Sequence, residues 1–501
     1  MLLLGIDLGT SSVKVSVVDA QSQQLIAKAN FPEEEAEIIA LNPGWAEQDP
    51  NQWWYFVQQA ILKVHATGLY NPKDITAIGI AYQMHGLVVT DANQKVLRNA
   101  IIWCDSRAVD IGNKAFADIG ETQCLVHLLN SPGNFTASKL AWVKANEPAI
   151  YQQIEKVLLP GDFIAMKMTG DSTTSISALS EGVFWDFQHN EISKEILQYF
   201  GFDASLFPSV QPVFSIHGLL LHSVAEALQL SPNIPIAYKA GDQPNNALSL
   251  NVLEPGEVAA TAGTSGVIYG VSDQLAYDKA SRINTFAHVN HQPNAIRTGV
   301  LLCINGTGIF NRWIKNLTGN QHTYTALNAM AATIPAGSNG LMALPFGNGA
   351  ERILQNRMIG AHFNRLDLNA HTTGHMVRAV QEGIAFSLRY GLDIMRENGM
   401  HPSVVRAGKA NLFLSEVFTA AFAAVNQVAV EFYELDGSYG AALGAGIGSG
   451  IYEDAKDAFQ QFKPVSVVEP AQINLYQDLY ADWLGLLENQ LYISSHKTIR
   501  H

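Results

Sequence analysis

Cysteine is scarce in this chain. Cys104, Cys124 and Cys303 are the only three among 501 residues, widely separated and without a CxxC pair. An odd, scattered set excludes a disulfide framework and a zinc ribbon and points to a reducing compartment, the cytoplasm. Charge is also sparse: 15% of residues are Asp, Glu, Lys or Arg, and the balance is acidic at −14. No basic run offers a footprint for nucleic acid or anionic lipid. No apolar run reaches the ~18 residues of a membrane span, and the N-terminus enters a strand at once, without the regions of a leader. A Walker A sequence is missing. His371 and His375 lie four apart but come without HExxH or a third ligand, and His288 and His291 likewise lack partners, so neither pair makes a metal site. What is present is 48% hydrophobic residues, material for large cores. The length implies two to four domains at roughly 150 residues each.

The most informative stretch is Leu3 to Asp19, where two β-branched apolar runs flank Gly9-Thr10-Ser11-Ser12. This reads as a β-hairpin with a Gly-initiated turn. Its tip carries only small side chains, so backbone N–H groups and hydroxyls can approach an anion closely. Asp7 ends the first strand beside that space. A carboxylate next to a phosphate needs a cation between them, which points to Mg2+. Glu257 to Asp273 repeats the pattern, with six identities: Gly9/Gly263, Thr10/Thr264, Ser11/Ser265, Val13/Val267, Val17/Val271 and Asp19/Asp273. A repeat about 250 residues apart is too long for a solenoid and implies a duplicated domain, whose two hairpins would clamp a polyphosphate.

Between and beyond the hairpins the chain mixes strands and helices. Asp49-Pro50 is an N-cap and first-position Pro, so a helix is expected to about Thr67. Ile75–Ala81 reads as a buried strand leading into Tyr82-Gln-Met-His-Gly86, and Ala100–Trp103 as another running into Cys104-Asp-Ser-Arg107. Residues 110–230 read as mostly helical. Ile234 to Ala240 is a strand that ends at Gly241-Asp242-Gln243, where a helix begins. A carboxylate is favoured at that dipole end, and an N-cap would use the same residue. Asn251 to Gly256 reads as a hinge. In the second half a long helix is expected over Thr373–Asn398, a strand from Val404 into the Gly408–Asn411 turn, and a Gly/Ala-rich helix over Gly440–Gly450. Gly444, Gly446 and Gly448 suit close helix packing rather than a dinucleotide fingerprint.

Taken together these motifs resemble the FGGY carbohydrate kinases, members of the actin-like ATPase superfamily, over about residues 2–450. Gly5-Ile-Asp-Leu-Gly-Thr10 resembles the first phosphate hairpin and Ala262-Gly-Thr-Ser-Gly266 the second. Asn134 to Val143 is similar to one family signature, and Gly360 through Gly383 more loosely to the other. Gly408-Lys-Ala-Asn411 stands at the adenosine motif. The resemblance implies an α/β fold of two ribonuclease-H-like domains with a nucleotide/sugar cleft between them. It divides the chain into 1–250 (sugar side, first hairpin), 251–450 (second hairpin, adenosine motif) and a helical tail, 451–501. It further implies Asp242 as catalytic base and Met84, His85 and Gln243 on the sugar. Thr10, Ser11, Lys14, Gly263, Thr264, Gly308, Gly408 and Asn411 would meet the nucleotide, and Asp7 would orient Mg2+ through water. ATP and a small sugar are the expected partners, without nucleic acid or membrane, and a homodimer is admitted. Within the family, Tyr82–Gly86, Ile102–Arg107 and Trp45–Pro50 are similar to the D-xylulose-phosphorylating branch. Gly241-Asp242-Gln243 instead matches the glycerol branch, and Ala407-Gly408-Lys409 departs from the usual glycine run. Ribulose, sedoheptulose and glycerol therefore stay open as acceptors, as does a non-catalytic nucleotide- or sugar-binding protein on the same scaffold.

Overall fold

The computed structural model describes residues 1–496. The two hairpins of the sequence are both present. Leu2–Leu8 pairs antiparallel with Val13–Asp19, and Glu257–Ala262 with Gly266–Ser272. Each seeds a sheet with the same plan. In the first, the order is Phe214–Leu219, Pro235–Gly241, Ile75–Tyr82, Leu2–Leu8, Val13–Asp19 and Leu25–Phe31. In the second it is Ser466–Val468, Val430–Tyr433, Val404–Gly408, Glu257–Ala262, Gly266–Ser272 and Thr298–Ile304, with Asn284–Ala287 added at the edge. In both, the hairpin's first strand runs parallel to the next strand in, which in turn runs parallel to the one beyond it. The duplication legible in six identities is thus a duplication of topology.

Sequence pattern explains the local choices. The central strands are apolar on both faces, as expected where helices cover both sides of a sheet. Asp49 caps the helix Pro50–His65, its side chain accepting from the Asn51 N–H, and the buried face of that helix, with Trp53 and Ile61, packs into the first core. The Gly437–Gly448 helix comes in sequence between Val430–Tyr433 and Ser466–Val468 of the second sheet but lies on the first. Its approach is possible only through glycine: a Cβ on Gly5 would run into the Ser438 carbonyl oxygen, one on Gly79 into that of Ala441, and one on Gly448 into that of Ala237. Backbone against backbone is the closest packing a helix can make on a sheet.

The regular structure of residues 110–230 is mostly helical, as expected, from Val109–Ile119 through to His222–Ala227. Short strands such as Lys156–Leu158 and Trp185–Asp186 interrupt the helices, and at two or three residues they are too brief to show a period of two. The segment expected as a helical tail, 451–501, carries the helix Ile473–His496 and is also built into the second sheet. Ser466–Val468 pairs with Val430–Tyr433, and the helix Ile473–His496 buries Trp483, whose Nε1 donates to the Ala343 carbonyl at 2.8 Å. The remainder of that expected segment lies outside the described residues. Among the described residues no helix is long and apolar enough to cross a membrane.

Candidate active site

The tip of the first hairpin is closed by the Gly9 N–H donating to the Ser12 carbonyl at 3.1 Å. Thr10 is tied inward rather than left free: its hydroxyl donates to Gln83 Oε1 at 3.1 Å and accepts from Trp103 Nε1 at 2.9 Å. Ser11 is exposed, and Lys14 reaches back to Asp7, Nζ to Oδ2 at 3.8 Å. The second hairpin abuts the helix Gly308–Leu317 so closely that a Cβ on Gly308 would strike the Gly263 carbonyl. Beside this junction opens a cavity of about 550 Å³. Gly263, Thr264, Gly308 and Asn411 all line it, against an apolar wall of Ile309, Leu412 and Val417. Its size, its apolar wall and the helix N-terminus at its mouth fit a purine nucleotide whose phosphates approach the hairpin. Gly408 ends the strand Val404–Gly408 and is not among the residues lining the cavity. Arg312, Tyr324, Asn328 and Glu416 also line it, and no motif marked them. Gly308→Ala is expected to raise the KM for ATP by roughly tenfold or more, since displacement by a fraction of an ångström already spoils aligned contacts. Steady-state kinetics with ATP varied checks it; an unchanged KM would detach the cavity from the nucleotide.

A second group of candidate site residues stands at the ends of Ile75–Tyr82 and Pro235–Gly241. Asp242 is the first residue of the helix Asp242–Ser249. Burial, and next the charge of Asp7, push its carboxyl up to about 7, while hydrogen bonds from Gln243 oppose the shift. Such a group changes protonation near neutrality, as a general base must. Met84 is buried against Gly241. His85 sits at φ +61°, a left-handed conformation that a bulky residue adopts only when its surroundings enforce it. Its Nδ1 donates to the Glu181 carbonyl at 2.9 Å, and its own carbonyl accepts from Lys139 Nζ at 2.8 Å. Burial, with Lys139 nearby, drops the imidazole to about 3, so it is neutral with Nε2 free to accept. Asp242, Met84, His85 and Gln243 therefore converge.

Asp7 faces Asp436, the N-cap of the Gly437–Gly448 helix. Burial raises the Asp7 carboxyl, Lys14 lowers it and Asp436 raises it again. Three carboxylates, Asp7, Asp242 and Asp436, thus crowd one region with Lys14 as the near cation. An all-oxygen donor set of this charge fits a hard divalent ion. The three do not converge within direct reach of a single ion, which fits a hydrated one.

Sequence reasoning missed Asp436 and Glu181. Glu181 is 2% exposed, and among the described residues neither carboxylate oxygen has a hydrogen-bond partner.

Comparison with known proteins places this geometry among relatives. The profile of the FGGY family of carbohydrate kinases, N-terminal domain, matches residues 2–249. The xylulose kinase of Escherichia coli (strain K12) is 30% identical over 449 residues, 89% of this chain and 88% of that protein. That of Bacillus subtilis (strain 168) is 29% identical over 469 residues, 92% and 91% of the two chains. The crystal structure of xylulose kinase from Rhodospirillum rubrum superposes with a TM-score of 0.88 at 25% identity, covering 99% of this chain and 100% of that one.

Proposed function

Because the chain belongs to the FGGY family of carbohydrate kinases, we propose that it phosphorylates D-xylulose, transferring the γ-phosphoryl group of ATP to the terminal hydroxyl to give D-xylulose 5-phosphate. The observation that carries the reading is Asp242: a buried carboxyl, poised near neutrality, at the strand end where Met84, His85 and Gln243 meet. Phosphoryl transfer asks little covalent chemistry of a protein beyond positioning, charge neutralisation and a base at the attacking hydroxyl.

In this mechanism the Asp242 carboxylate accepts the proton of the terminal hydroxyl as its oxygen attacks phosphorus in line. His85 holds the ketose through Nε2, Met84 packs its carbon face and Gln243 hydrogen-bonds a neighbouring hydroxyl. Backbone N–H groups of the two hairpin tips, with Gly308, receive the phosphates; the Thr10 hydroxyl is otherwise engaged. Asp7, with Asp436 behind it, would hold hydrated Mg2+, which when bound offsets the charge of the phosphoryl oxygens. Movement about Asn251–Gly256 would close the halves and exclude water from the γ-phosphate.

The test is sugar-stimulated ADP release by the purified chain across D-xylulose, D-ribulose, sedoheptulose and glycerol, with and without EDTA. D-xylulose is expected to give the highest kcat/KM, and chelation to abolish release until Mg2+ is restored. A preference for glycerol would move the assignment to the polyol branch that Gln243 resembles. Absence of any stimulation would leave a binding protein.

A further inference from the structure

We propose that Glu181 is a positioning residue of the acceptor site, which seats Met84 and the Gly241–Asp242 backbone from beneath and so aims the base; this rests on the kinase reading above. The helix Ile176–Glu181, capped by Ser175, ends on this residue. Its backbone carbonyl accepts from His85 Nδ1. Its side chain lies against Gly241, where a Cβ would stand 2.8 Å from Glu181 Oε2 and 2.6 Å from Met84 Cγ. Glu181 therefore holds His85 through its backbone and borders Gly241 with its side chain, and together with Met84 it leaves position 241 no room for a side chain.

A carboxyl buried this deeply, with neither oxygen bonded, is far too costly to keep charged and is held as the neutral acid. The groups that face it are Tyr82, Lys139, Asp162, Asp242 and Tyr269. Lys139 spends its ammonium on the carbonyls of His85 and Ile102, at 2.8 and 3.0 Å. Asp162 is paired with Lys239 at 2.7 Å. Tyr82 stands beside the carboxyl. Among the described residues no cation is left over to pair with Glu181. Burial foremost, with the charges of Asp242 and Asp162 added and with Tyr82 and Lys139 opposing, pushes its titration well above the usual carboxylate range. Neutral, it supports the base without adding a second negative charge beside it. Ionised at alkaline pH, it would have Asp242 as a like-charged neighbour, and the packing of Met84 and Gly241 would be lost with it.

The experiment is steady-state kinetics of wild type, Glu181→Ala and Glu181→Gln from pH 6 to about 10, with thermal unfolding of each. Glu181→Ala is expected to raise the acceptor KM and lower kcat, together costing roughly tenfold or more in kcat/KM, with the KM for ATP unmoved. Glu181→Gln, a neutral isostere, is expected to recover most of that loss and to hold its plateau to higher pH than wild type. The Gln variant also keeps the test open if the Ala variant unfolds. Superimposable pH profiles for wild type and Gln, or an unchanged acceptor KM in the folded Ala variant, would overturn the assignment while leaving the kinase reading intact. Absence of acceptor-stimulated turnover in wild type would overturn both.

Discussion

Asp242→Asn is expected to lower kcat by about 10²–10⁴-fold, the range that general-base catalysis supplies. The KM for ATP should move little, because the cavity beside the second hairpin is built without Asp242. The same carboxyl gives the pH dependence its sign. Asp242 titrates at about 7 and works unprotonated, so wild-type kcat should rise with pH through that region and then level. The residual rate of the Asn variant should lack this limb. Stability should move the other way. The folded carboxyl lies above the ~3.9 of an unfolded Asp, so the native state binds the extra proton between those values. Unfolding free energy therefore falls as pH rises from ~4 to about 7 and stays reduced above. Removing the carboxyl removes that penalty: the Asn variant should melt higher than wild type at pH 8, and the gap should close towards pH 4. Calorimetry and kinetics on one preparation read both. A variant with lost activity and a lower melting temperature at pH 8 would mean simple misfolding.

Gly5→Ala is expected to be strongly damaging for a single methyl. Its Cβ would enter the Ser438 carbonyl and stand 2.5 Å from the Ala442 nitrogen, where backbone rather than a flexible side chain must yield. Overpacking of this kind costs about 1–3 kcal/mol, occasionally more, and roughly 2–4 °C in Tm per kcal/mol at a domain size of this order. Activity should fall with it, because the displaced helix begins at Asp436 and the strand carrying Gly5 also carries Asp7. Gly485→Ala is the control. Gly485 is exposed within the Ile473–His496 helix with nothing within 4 Å of a Cβ, so Ala there should stabilise by up to about 1 kcal/mol through helix propensity. Equal effects at the two positions would show that the Gly437–Gly448 helix does not sit on the first sheet as described.

Both hairpins were legible because apolar runs with β-branched residues flank tips that carry Gly, Thr and Ser, signals local in sequence. Asp242 was legible for a similar reason: a polar residue directly after an apolar strand, opening a helix. The rest depended on what sequence order hides. Glu181 and Asp436 look like ordinary helix-end residues until folding sets one against Gly241 and the other against Asp7. Arg312, Tyr324 and Asn328 come from two helices whose shared cavity exists only once they pack. The Gly/Ala helix showed its glycines, but nothing along the chain said that the sheet receiving them was the one built by the first hairpin. Trp483 and Tyr480 read as parts of a tail because their partners, the Ala343 carbonyl and Asp393, lie far upstream.

The most direct test of D-xylulose phosphorylation with Asp242 as base is 31P NMR of the products formed from ATP, Mg2+ and D-xylulose by wild type and by Asp242→Asn. The expected result is a phosphomonoester on the terminal oxygen of the ketose, appearing with wild type in step with ADP and failing to build up with the variant over the same time. ADP and inorganic phosphate without a sugar phosphate, or the same ester made at a similar rate by Asp242→Asn, would contradict it.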